Sequence, residues 1–442
     1  MPEFLKLLPP PEARALLLAR IGMPAIRAEE IDTASALHRV TAEDVTAPHP
    51  LPEFTRSSVD GYAVRAEDTY GAGDSSPAYL RLVGEVAMGQ APACDPGAGE
   101  AALIHTGGML PARSNAVVMM ENTQVVGGAS GSIRRKRTVG RGAAGHPEAE
   151  SSLGPATEIE VMRGVAVGEN VIHAGEDIIE GQVVVRRGVW LRPAEIGGLM
   201  ALGAVKVRVA AKPKVGIISS GDEVVDPYLR PGPGQVRDVN GHALAGLVSE
   251  QGGEAVHYGI VPDEKQALLG LVASAAQDCD VVLISGGSSA SVRDTTADVI
   301  QALGPPGVLV HGINIRPGKP TILGLCGGKV LIGLPGNPVS ALVIGQLFVG
   351  PVVERLLGVL NPRPPASVSA RLAVNLPSQT GREDWWPVKL RPSSEPAGDW
   401  SAEPIFGKSN LIFSLAAADG LIRIPPEANG LAGGEIVSVH LI

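Results

Sequence analysis

The sequence predicts a multidomain protein of the α/β plus β class, with a central α/β domain flanked by regions of short strands. Between residues 212 and 361, apolar strand-like runs alternate with amphipathic helical segments, a pattern typical of βαβ units and a mostly parallel sheet. Residues 48–165 and 362–442 contain short β-like runs separated by Gly and Pro turns. At 442 residues the chain is too long for one ordinary core, so we expect roughly three or four domains.

The N-terminal half begins with helical patterning and then changes to short strands. Two helices are predicted, in PEARALLLARI (11–21) and in AEEIDTASALHRV (28–40). The runs AYLRLVGEV, AALIHT and AVVMMENTQVV then predict strands of a small β-domain. Inside it, residues 127–157 are rich in Gly, Ser and Ala with a basic cluster, which favours a flexible, solvated loop over a nucleic-acid patch. A short helix is predicted after Pro193.

The segment from residue 212 to residue 361 alternates regularly between strands and helices. Apolar runs predict the strands, which are KVGIISS, EAVHYGIV, DVVLISGG, VLVHGINI, TILGL and KVLIGL. Amphipathic runs predict the helices, which are HALAGLVSEQGG, KQALLGLVASAAQ, TADVIQALG and ALVIGQLFV.

Composition and charge exclude several classes of function. Aromatic residues make up only 3% of the chain and the net charge is −9, which argues against binding of nucleic acid. The three cysteines are far apart and form no CxxC pair, so neither a disulfide framework nor a zinc knuckle is predicted. No signal-like N-terminus and no run approaching about 18 apolar residues is evident, so we expect a cytoplasmic protein that does not bind a membrane.

The most informative stretch is LIGLPGNPVS (331–340), preceded by RPGKP (316–320). An apolar strand runs into a Gly/Pro turn, and Ser340 is expected to cap the following apolar helix. Backbone N–H groups and a helix N-terminus can hold an anion at such a place. The RPGKP turn adds Arg316 and Lys319. The alternative for PGNP alone is an ordinary βα connection.

Polar residues also follow the other predicted strands of the α/β domain. Open α/β sheets bind ligands beyond the carboxyl ends of their strands. Glycines there allow close approach of a ligand, serines supply neutral donors, and acids suit Mg²⁺. Any one of these segments alone is better explained as a plain turn, whereas five in one sheet indicate a site. The segments are Ser219–Glu223, Val261–Glu264, Ser285–Ser289, RPGKP and PGNPVS, with Asp294 further on.

Taken together, these motifs show that the chain resembles the molybdopterin molybdenumtransferase family, known as MoeA in bacteria and as the E domain of gephyrin in animals. The resemblance covers essentially the whole chain. It depends on motifs that occur in the family's order, namely LPEFTRSSVDGYAVR (51–65), AGEDI (174–178), SSGDEV (219–224), SGG followed by Asp294, RPGKP and GLPGNPVS.

The resemblance implies a four-part fold. Residues 1–47 and 166–211 would form a discontinuous, extended linker and dimer domain, and 48–165 an inserted β-domain. Residues 212–361 would form an α/β molybdopterin-binding domain similar to molybdopterin adenylyltransferases, and 362–442 a C-terminal β-domain. Family members are homodimers with a composite active site between the α/β domain of one subunit and the inserted β-domain of the other.

The resemblance also implies an activity and a set of partners. The reaction is the Mg²⁺-dependent insertion of molybdate into adenylylated molybdopterin, with release of AMP. Expected partners are the molybdopterin adenylyltransferase and proteins that mature molybdoenzymes. Three alternatives stay open: a tungstate-inserting paralogue, a molybdopterin adenylyltransferase, and a non-catalytic, gephyrin-like scaffold.

Functional residues are carried over position by position. The catalytic candidates are Asp60, Asp177, Glu223, Asp263, Asp294 and Lys319. The substrate-binding candidates are Thr106, Gly107, Ser219, Gly221, Asp222, Asn240, Gly286, Gly287, Ser288, Arg316, Pro320, Ser340, Arg382 and Ser409. The metal-binding candidates are Asp222, Glu223 and Asp294. A simple Asx turn is the alternative for Asp60, and a loop start is the alternative for Glu223.

This chain departs from the family pattern at three places. GGSSASVRD (286–294) has Ser291 where the family has glycine and places Arg293 beside Asp294. Arg316 replaces the usual lysine, which keeps the charge and adds a bidentate fork. HTGGMLP (105–111) stands where relatives often have MTGAPxP. These departures leave the fold unaffected and bear on the substrate contacts and the choice of metal.

Overall fold

The computed structural model describes residues 7–126, 157–286, 290–362, 364–392 and 400–442, without the side chains of 290–294. The chain divides into two compact units. The larger one comprises Met1–Asp44, Arg186–Gly197 and Ala204–Ile442, and the smaller one Val45–Val185 and Gly198–Gly203. The predicted flexible loop, 127–157, lies outside the described residues except for its last position. The division into four domains remains a prediction.

The smaller unit is built on one six-stranded sheet. Tyr62, Val64 and Val118 are buried in its core. All neighbouring strands are antiparallel except Ala78–Glu85 and Glu100–Ile104, which are parallel. In sheet order the strands are Ala116–Met119, Gly61–Val64, Glu100–Ile104, Ala78–Glu85, Glu158–Val161 and Thr123–Val126. Two short pairs join Arg56–Ser57 to Val171–Ile172 and Val45–Thr46 to Val183–Val185.

Gly61 lies where two strands of this sheet approach closely. A Cβ at this position would lie 2.0 Å from the backbone oxygen of Val118, so any side chain must displace the neighbouring strand. We expect Gly61→Ala to lower the free energy of unfolding by about 1–3 kcal/mol, since overpacking a tight contact forces the backbone to shift. Calorimetry of the variant would measure the loss. The matched control is Gly73→Ala, because a Cβ at Gly73 meets no atom within 4 Å. Equal melting curves for the two variants would contradict this account.

The α/β part of the larger unit contains a second six-stranded sheet. Lys214–Ser220 pairs in parallel with Glu254–Val261 and Val281–Gly286, and Val281–Gly286 pairs in parallel with Lys329–Pro335. Ile322–Cys326 and then Pro306–His311, which forms the edge, continue the sheet in antiparallel pairing. The predicted mostly parallel sheet is therefore confirmed.

Helices cover this sheet. Pro10–Ile21 joins the core of the larger unit through the buried Ala13 and Leu17.

The helices of the described residues as a whole, in both units, are Pro10–Ile21, Pro193–Ala201, Asn240–Glu250, Lys265–Asp278, Ala290–Ala302, Pro338–Ile344, Gly350–Leu356 and Ile412–Ala416. A π-helical turn, Gly345–Val349, joins Pro338–Ile344 to Gly350–Leu356 in one continuous helix.

This continuous helix, Pro338–Leu356, is long and apolar enough to cross a membrane by length and composition. Its most apolar window has a mean hydropathy of 1.5, and 61% of that window is buried inside the protein. No unbroken apolar run of this length is expected from the sequence, because Pro351 and polar residues such as Gln346 and Glu354 interrupt it. Val343, Phe348 and Val352 are fully buried in the core of the α/β sheet, so the helix serves there as a core helix.

The C-terminal part of the larger unit is barrel-like. Glu383–Pro392 pairs with Trp400–Pro404 on one side and Gly420–Ile424 on the other, which closes a ring of five strands. Ser367–Leu372 and Ile436–Leu441 complete the ring. Further two-residue strands are Ile315–Arg316, Val224–Val225, Val236–Arg237, Leu376–Pro377 and Gly430–Leu431. Together with the α/β sheet, this barrel confirms the predicted fold class.

One predicted helix is wrong. Residues 28–40 were expected to be helical, whereas Ala28–Asp32 is a strand followed by a short 3₁₀ turn, Thr33–Ser35. The strand pairs antiparallel with Lys206–Ala210 over five residues. Glu29, Glu30 and Asp32 are exposed along it, so the pattern that suggested a helix is that of a solvent-facing strand whose partner lies far away in sequence.

Candidate active site

A cleft of about 710 Å³ in the larger unit brings together six predicted binding residues. We call it the cationic cleft, because four cations and no carboxylate line it within the described part of the chain. The four cations are Arg316, Lys319, Arg382 and Lys408. The six predicted residues in its lining are Arg316, Lys319, Pro320, Ser340, Arg382 and Ser409. Such a lining favours an anionic ligand.

The RPGKP turn is held in place by its own backbone. Gly318 has φ +114°, and a Cβ there would lie 2.5 Å from two side-chain atoms of Ile344, so glycine is needed. The hydroxyl of Thr321 donates to the Gly318 carbonyl at 2.7 Å. The backbone N–H of Ile313 donates to the Lys319 carbonyl at 2.9 Å. Lys319 therefore projects from a fixed backbone.

The helix at the PGNP turn begins earlier than the sequence predicted. Pro338 is its first residue and Asn337 occupies the N-cap position, so Ser340 lies inside the first turn and does not cap it. A proline fits there because the first helical N–H has no partner in any case. The Asn337 amide instead donates to Ser409 Oγ at 2.9 Å, and Val339 N–H donates to the Ser409 carbonyl at 3.1 Å. The helix N-terminus and Ser409 are thereby joined beside the cleft.

Sequence reasoning missed three residues of this region. Lys408 lines the cleft, and its position next to the predicted Ser409 was a usable signal. Trp386 also lines the cleft, with its ring centroid 5.5 Å from the guanidinium carbon of Arg316. Asp384 forms ion pairs with Arg316 and Arg382 while fully buried. An alternating strand containing tryptophans looks like core, so no sequence signal marked Asp384 or Trp386.

A second polar group, the strand-end cluster, lies at the carboxyl ends of the parallel strands. Ser219 Oγ donates to Asp238 at 2.8 Å, and Ser220 Oγ donates to Asp263 at 2.6 Å. The backbone N–H of Asp263 donates to Asp222 at 3.2 Å. The cluster also contains Gly221, Glu223, Asn240, Ser285 and Gly286, so it unites seven of the candidate residues. Ser220 and Ser285 lie in the predicted strand-end segments but were not candidates themselves, and Asp238 was not predicted at all.

Asn240 joins the strand-end cluster to the PGNP turn. Its amide donates to Ser285 Oγ at 2.7 Å and to the Gly336 carbonyl at 2.9 Å. Its Oδ1 is buried and has no partner among the described residues. Gly286 is tightly packed too, since a Cβ there would lie 2.4 Å from the Ser220 carbonyl oxygen. Because Asn337 reaches the cationic cleft and Gly336 reaches Asn240, one turn borders both groups.

The metal-binding candidates are described only in part. Asp222 and Glu223 are exposed at the end of Lys214–Ser220, whereas the Asp294 side chain lies outside the described residues. Among the described side chains, no group of three His, Cys, Asp or Glu residues is close enough to hold a metal. Mg²⁺ usually takes one or two protein carboxylates, water and substrate phosphates. The oxygen donors of Asp222 and Glu223 fit that requirement. The predicted Gly287 and Ser288 also lie outside the described residues.

The smaller unit brings two other predicted residues together. Asp60 Oδ1 accepts hydrogen bonds from the backbone N–H of Thr106 at 2.7 Å and from its hydroxyl at 2.9 Å. Gly107 has φ +86° and donates to the Ser57 carbonyl at 2.8 Å, which turns the chain at this point. Asp177 is exposed, with its backbone N–H bonded to the Leu51 carbonyl at 3.1 Å. Two hydrogen bonds thus hold Asp60 and Thr106 together at the end of the sheet.

The cysteines show no sign of a chemical role. Burial raises the pKa of Cys94, Cys279 and Cys326, so each thiol is held in its protonated, weakly nucleophilic form. All three are free.

A cationic cleft beside the carboxyl ends of a mostly parallel sheet defines a protein of the α/β class suited to an anionic small molecule. Family models match most of the chain. The MoeA N-terminal region (domains I and II) matches residues 8–203, a probable molybdopterin binding domain matches 216–355, and the MoeA C-terminal region (domain IV) matches 369–442. The chain belongs to the MoeA family, as its motifs predicted.

Similar proteins agree with this assignment over nearly the full length. A protein of Methanocaldococcus jannaschii named for molybdopterin biosynthesis is 34% identical over 94% of this chain and 92% of its own. Molybdopterin molybdenumtransferase 1 of Mycobacterium tuberculosis is 29% identical over 96% and 97%. A crystal structure of the molybdopterin biosynthesis MoeA protein from Pyrococcus horikoshii OT3 has a TM-score of 0.79 at 31% identity, covering 99% of this chain and 100% of that one. The family is therefore one of enzymes of molybdenum cofactor biosynthesis.

Proposed function

We propose that this protein inserts molybdate into adenylylated molybdopterin in a Mg²⁺-dependent reaction that releases AMP. The observation that carries the proposal is the PGNP turn, which borders both the cationic cleft and the strand-end cluster. A substrate with a phosphoanhydride and a separate oxyanion could therefore bind side by side, at the strand-end cluster and in the cationic cleft. The similar proteins named molybdopterin molybdenumtransferases support the transfer of molybdenum to molybdopterin as the outcome of the reaction.

The charges of the cleft suit the approach of two anions. Molybdate and a phosphoanhydride repel each other, and fixed cations offset that repulsion most strongly where water is excluded. Arg316, Lys319, Arg382 and Lys408 supply four positive charges in one cleft, although the whole chain has a net charge of −9. The proposed role of Lys319 and Arg316 is to bind and orient the oxyanion, with Ser340 and Ser409 as neutral donors.

The proposed metal site lies at the strand-end cluster. Asp222 and Glu223, together with Asp294, would hold Mg²⁺, which when bound polarises a phosphoryl oxygen. Asp263 is fixed by Ser220 and by its own N–H bond to Asp222, so it can orient polar groups of the substrate. Asn240 contributes a buried acceptor to the same region.

The proposal includes the assembly that the family resemblance implies. Asp60, Thr106 and Asp177 would complete the site from the smaller unit of a second subunit in a cytoplasmic homodimer. The adenylyltransferase that makes the substrate, and proteins that mature molybdoenzymes, would be the partners. Nucleic acid and membranes are not expected to bind.

One assay tests the reaction and its alternatives. Pure protein is incubated with adenylylated molybdopterin, Mg²⁺ and molybdate, and AMP is quantified with and without the oxyanion. Molybdate-dependent AMP release is the expected result, and a stronger response to tungstate would indicate a tungstate-inserting enzyme. Formation of the adenylylated adduct from ATP and molybdopterin would indicate an adenylyltransferase. No turnover by folded, dimeric protein would favour a scaffold and contradict the proposal.

A further inference from the structure

A buried carboxylate lies directly beneath the cationic cleft. The side chain of Asp384 is only 1% exposed, whereas those of Arg316 and Arg382 are 55% and 29% exposed. Arg382 donates to Asp384 through Nε at 2.8 Å and through Nη2 at 3.3 Å. Arg316 Nη1 lies 3.8 Å from the same carboxylate. One acid therefore pairs with two of the four cations of the cleft.

The strand pairing explains this arrangement. Arg382 directly precedes the strand Glu383–Pro392 and Asp384 is the second residue of that strand, so the two side chains, two residues apart, leave the chain on the same face. The short strand Ile315–Arg316 pairs in parallel with this one, and its register places Arg316 opposite Asp384. Trp386, two residues further on, lies against the Arg316 guanidinium at 5.5 Å. The Asp384 carboxylate, the strand pairing and the Trp386 ring thus restrict the positions of Arg316 and Arg382.

Both arginines keep donors for a ligand. Asp384 engages two of the five N–H groups of Arg382, one at Nε and one at Nη2. The remaining N–H groups of Arg382, and those of Arg316, have no other hydrogen-bond partner within the described part of the chain and border the cleft. Two free guanidinium groups would repel each other and spread apart, whereas a shared carboxylate holds them together.

We propose that Asp384 is a positioning residue, which fixes Arg316 and Arg382 in the orientation that binds the oxyanion. The inference depends on the proposed function, since it assumes that molybdate binds in the cationic cleft. Asp384 itself does not line the cleft, and its effect is transmitted through the two guanidinium groups.

If Asp384 had a simpler role, its replacement would change the affinity for molybdate in the opposite direction. If the acid were only a counter-charge, its removal would raise the positive potential of the cleft and tighten molybdate binding. If it positions the arginines, its removal should weaken binding in spite of the more positive potential. The direction of the change therefore separates the two roles.

Two variants and direct molybdate binding by calorimetry provide the test. Asp384→Asn keeps the shape but loses the charge and sets an amide donor against an arginine donor. Asp384→Glu keeps the charge but moves the carboxylate by one carbon–carbon bond. We expect each to raise the Kd for molybdate by about 10- to 100-fold, the effect of losing a charged hydrogen bond. In turnover, the KM for molybdate should rise by a similar factor and kcat at saturation should change much less.

The matched control is Glu383→Gln. Glu383 is the adjacent buried acid of the same strand and pairs with Arg423 at 2.7 Å, and neither residue lines the cleft. The glutamine keeps an acceptor for Trp385, which donates to Glu383 at 2.7 Å and borders the cleft. We expect this variant to lose thermal stability as the Asp384 variants do while its Kd for molybdate stays within about twofold of the parent's.

The outcomes separate the two hypotheses. If the parent protein does not bind molybdate, the proposed function fails at this cleft. If the parent binds it and either folded Asp384 variant binds it as tightly or more tightly, the positioning role is wrong. If Glu383→Gln weakens binding as much as the Asp384 variants, the effect is a general one of strand stability and the inference is again overturned. Should Asp384→Asn fail to fold, Asp384→Glu decides the matter.

Discussion

Lys319→Ala is expected to slow molybdate-dependent AMP release by about a hundredfold or more. Lys319 extends from a turn fixed by the Gly318 carbonyl, the Ile313 N–H and the contact with Ile344, so the point from which its side chain enters the cleft is set before the substrate binds. Deleting one preorganised donor from an oxyanion site costs about 2.7–4 kcal/mol, which sets the size of the effect. Initial rates at limiting and saturating molybdate would measure it.

Two further variants define the role of this charge. Lys319→Arg should recover only part of the rate, because a planar fork does not replace a compact ammonium. Lys206→Ala is the control, since Lys206 is a surface lysine 3.4 Å from Glu30 and pairs of this kind contribute little. Thermal stability should barely change for Lys319→Ala, because the side chain is exposed. Parental turnover by Lys319→Ala at both molybdate concentrations would show that this turn is not the oxyanion site.

Mixing Asp60→Ala protein with Asp294→Ala protein is expected to restore activity that neither variant has alone. If each site combines the α/β domain of one subunit with the smaller unit of the other, a heterodimer has one intact site and one doubly defective site. Random exchange places half of the protein in heterodimers, so recovery should approach about a quarter of the parental activity. AMP release after subunit exchange, confirmed by mass spectrometry, measures it.

The control mixture combines two variants from the same half of the proposed site. Asp60 and Thr106 are hydrogen-bonded to each other, so both belong to the smaller unit. Asp60→Ala mixed with Thr106→Ala should therefore show no recovery, because every site of the heterodimer keeps one defect. Recovery in this control, or its absence in the first mixture after complete exchange, would argue against a composite site.

Local sequence predicted the three central strands of the α/β sheet well, because each of them is a largely apolar run that ends in Ser, Gly or Pro. Lys214–Ser220, Val281–Gly286 and Lys329–Pro335 lie as predicted and are buried on both faces. The antiparallel edge was not predicted, although Gly327–Gly328 joins its strands with φ of +55° and +80°. Two such glycines are a strong hairpin signal that the sequence analysis did not use.

Two local predictions failed because distant partners decided the outcome. Ala28–Asp32 is a strand because Lys206–Ala210 pairs with it, although its own pattern suggested a helix. Ser340 was expected to cap its helix, whereas Pro338 begins the helix and the Asn337 side chain bonds to Ser409. In both cases the competing contact is made by residues far away along the chain.

The sequence by itself determined the family, the fold class and six residues of the cationic cleft. Its motifs place Arg316 and Lys319 on a turn that precedes one apolar strand, and Ser340 shortly after another. Only the tertiary structure decided how these charges are held. Asp384 lies 68 residues from Arg316 and meets it through the register of one short parallel pair. This register depends on how the C-terminal barrel packs against the RPGKP turn. Local sequence propensity does not predict such packing between distant segments.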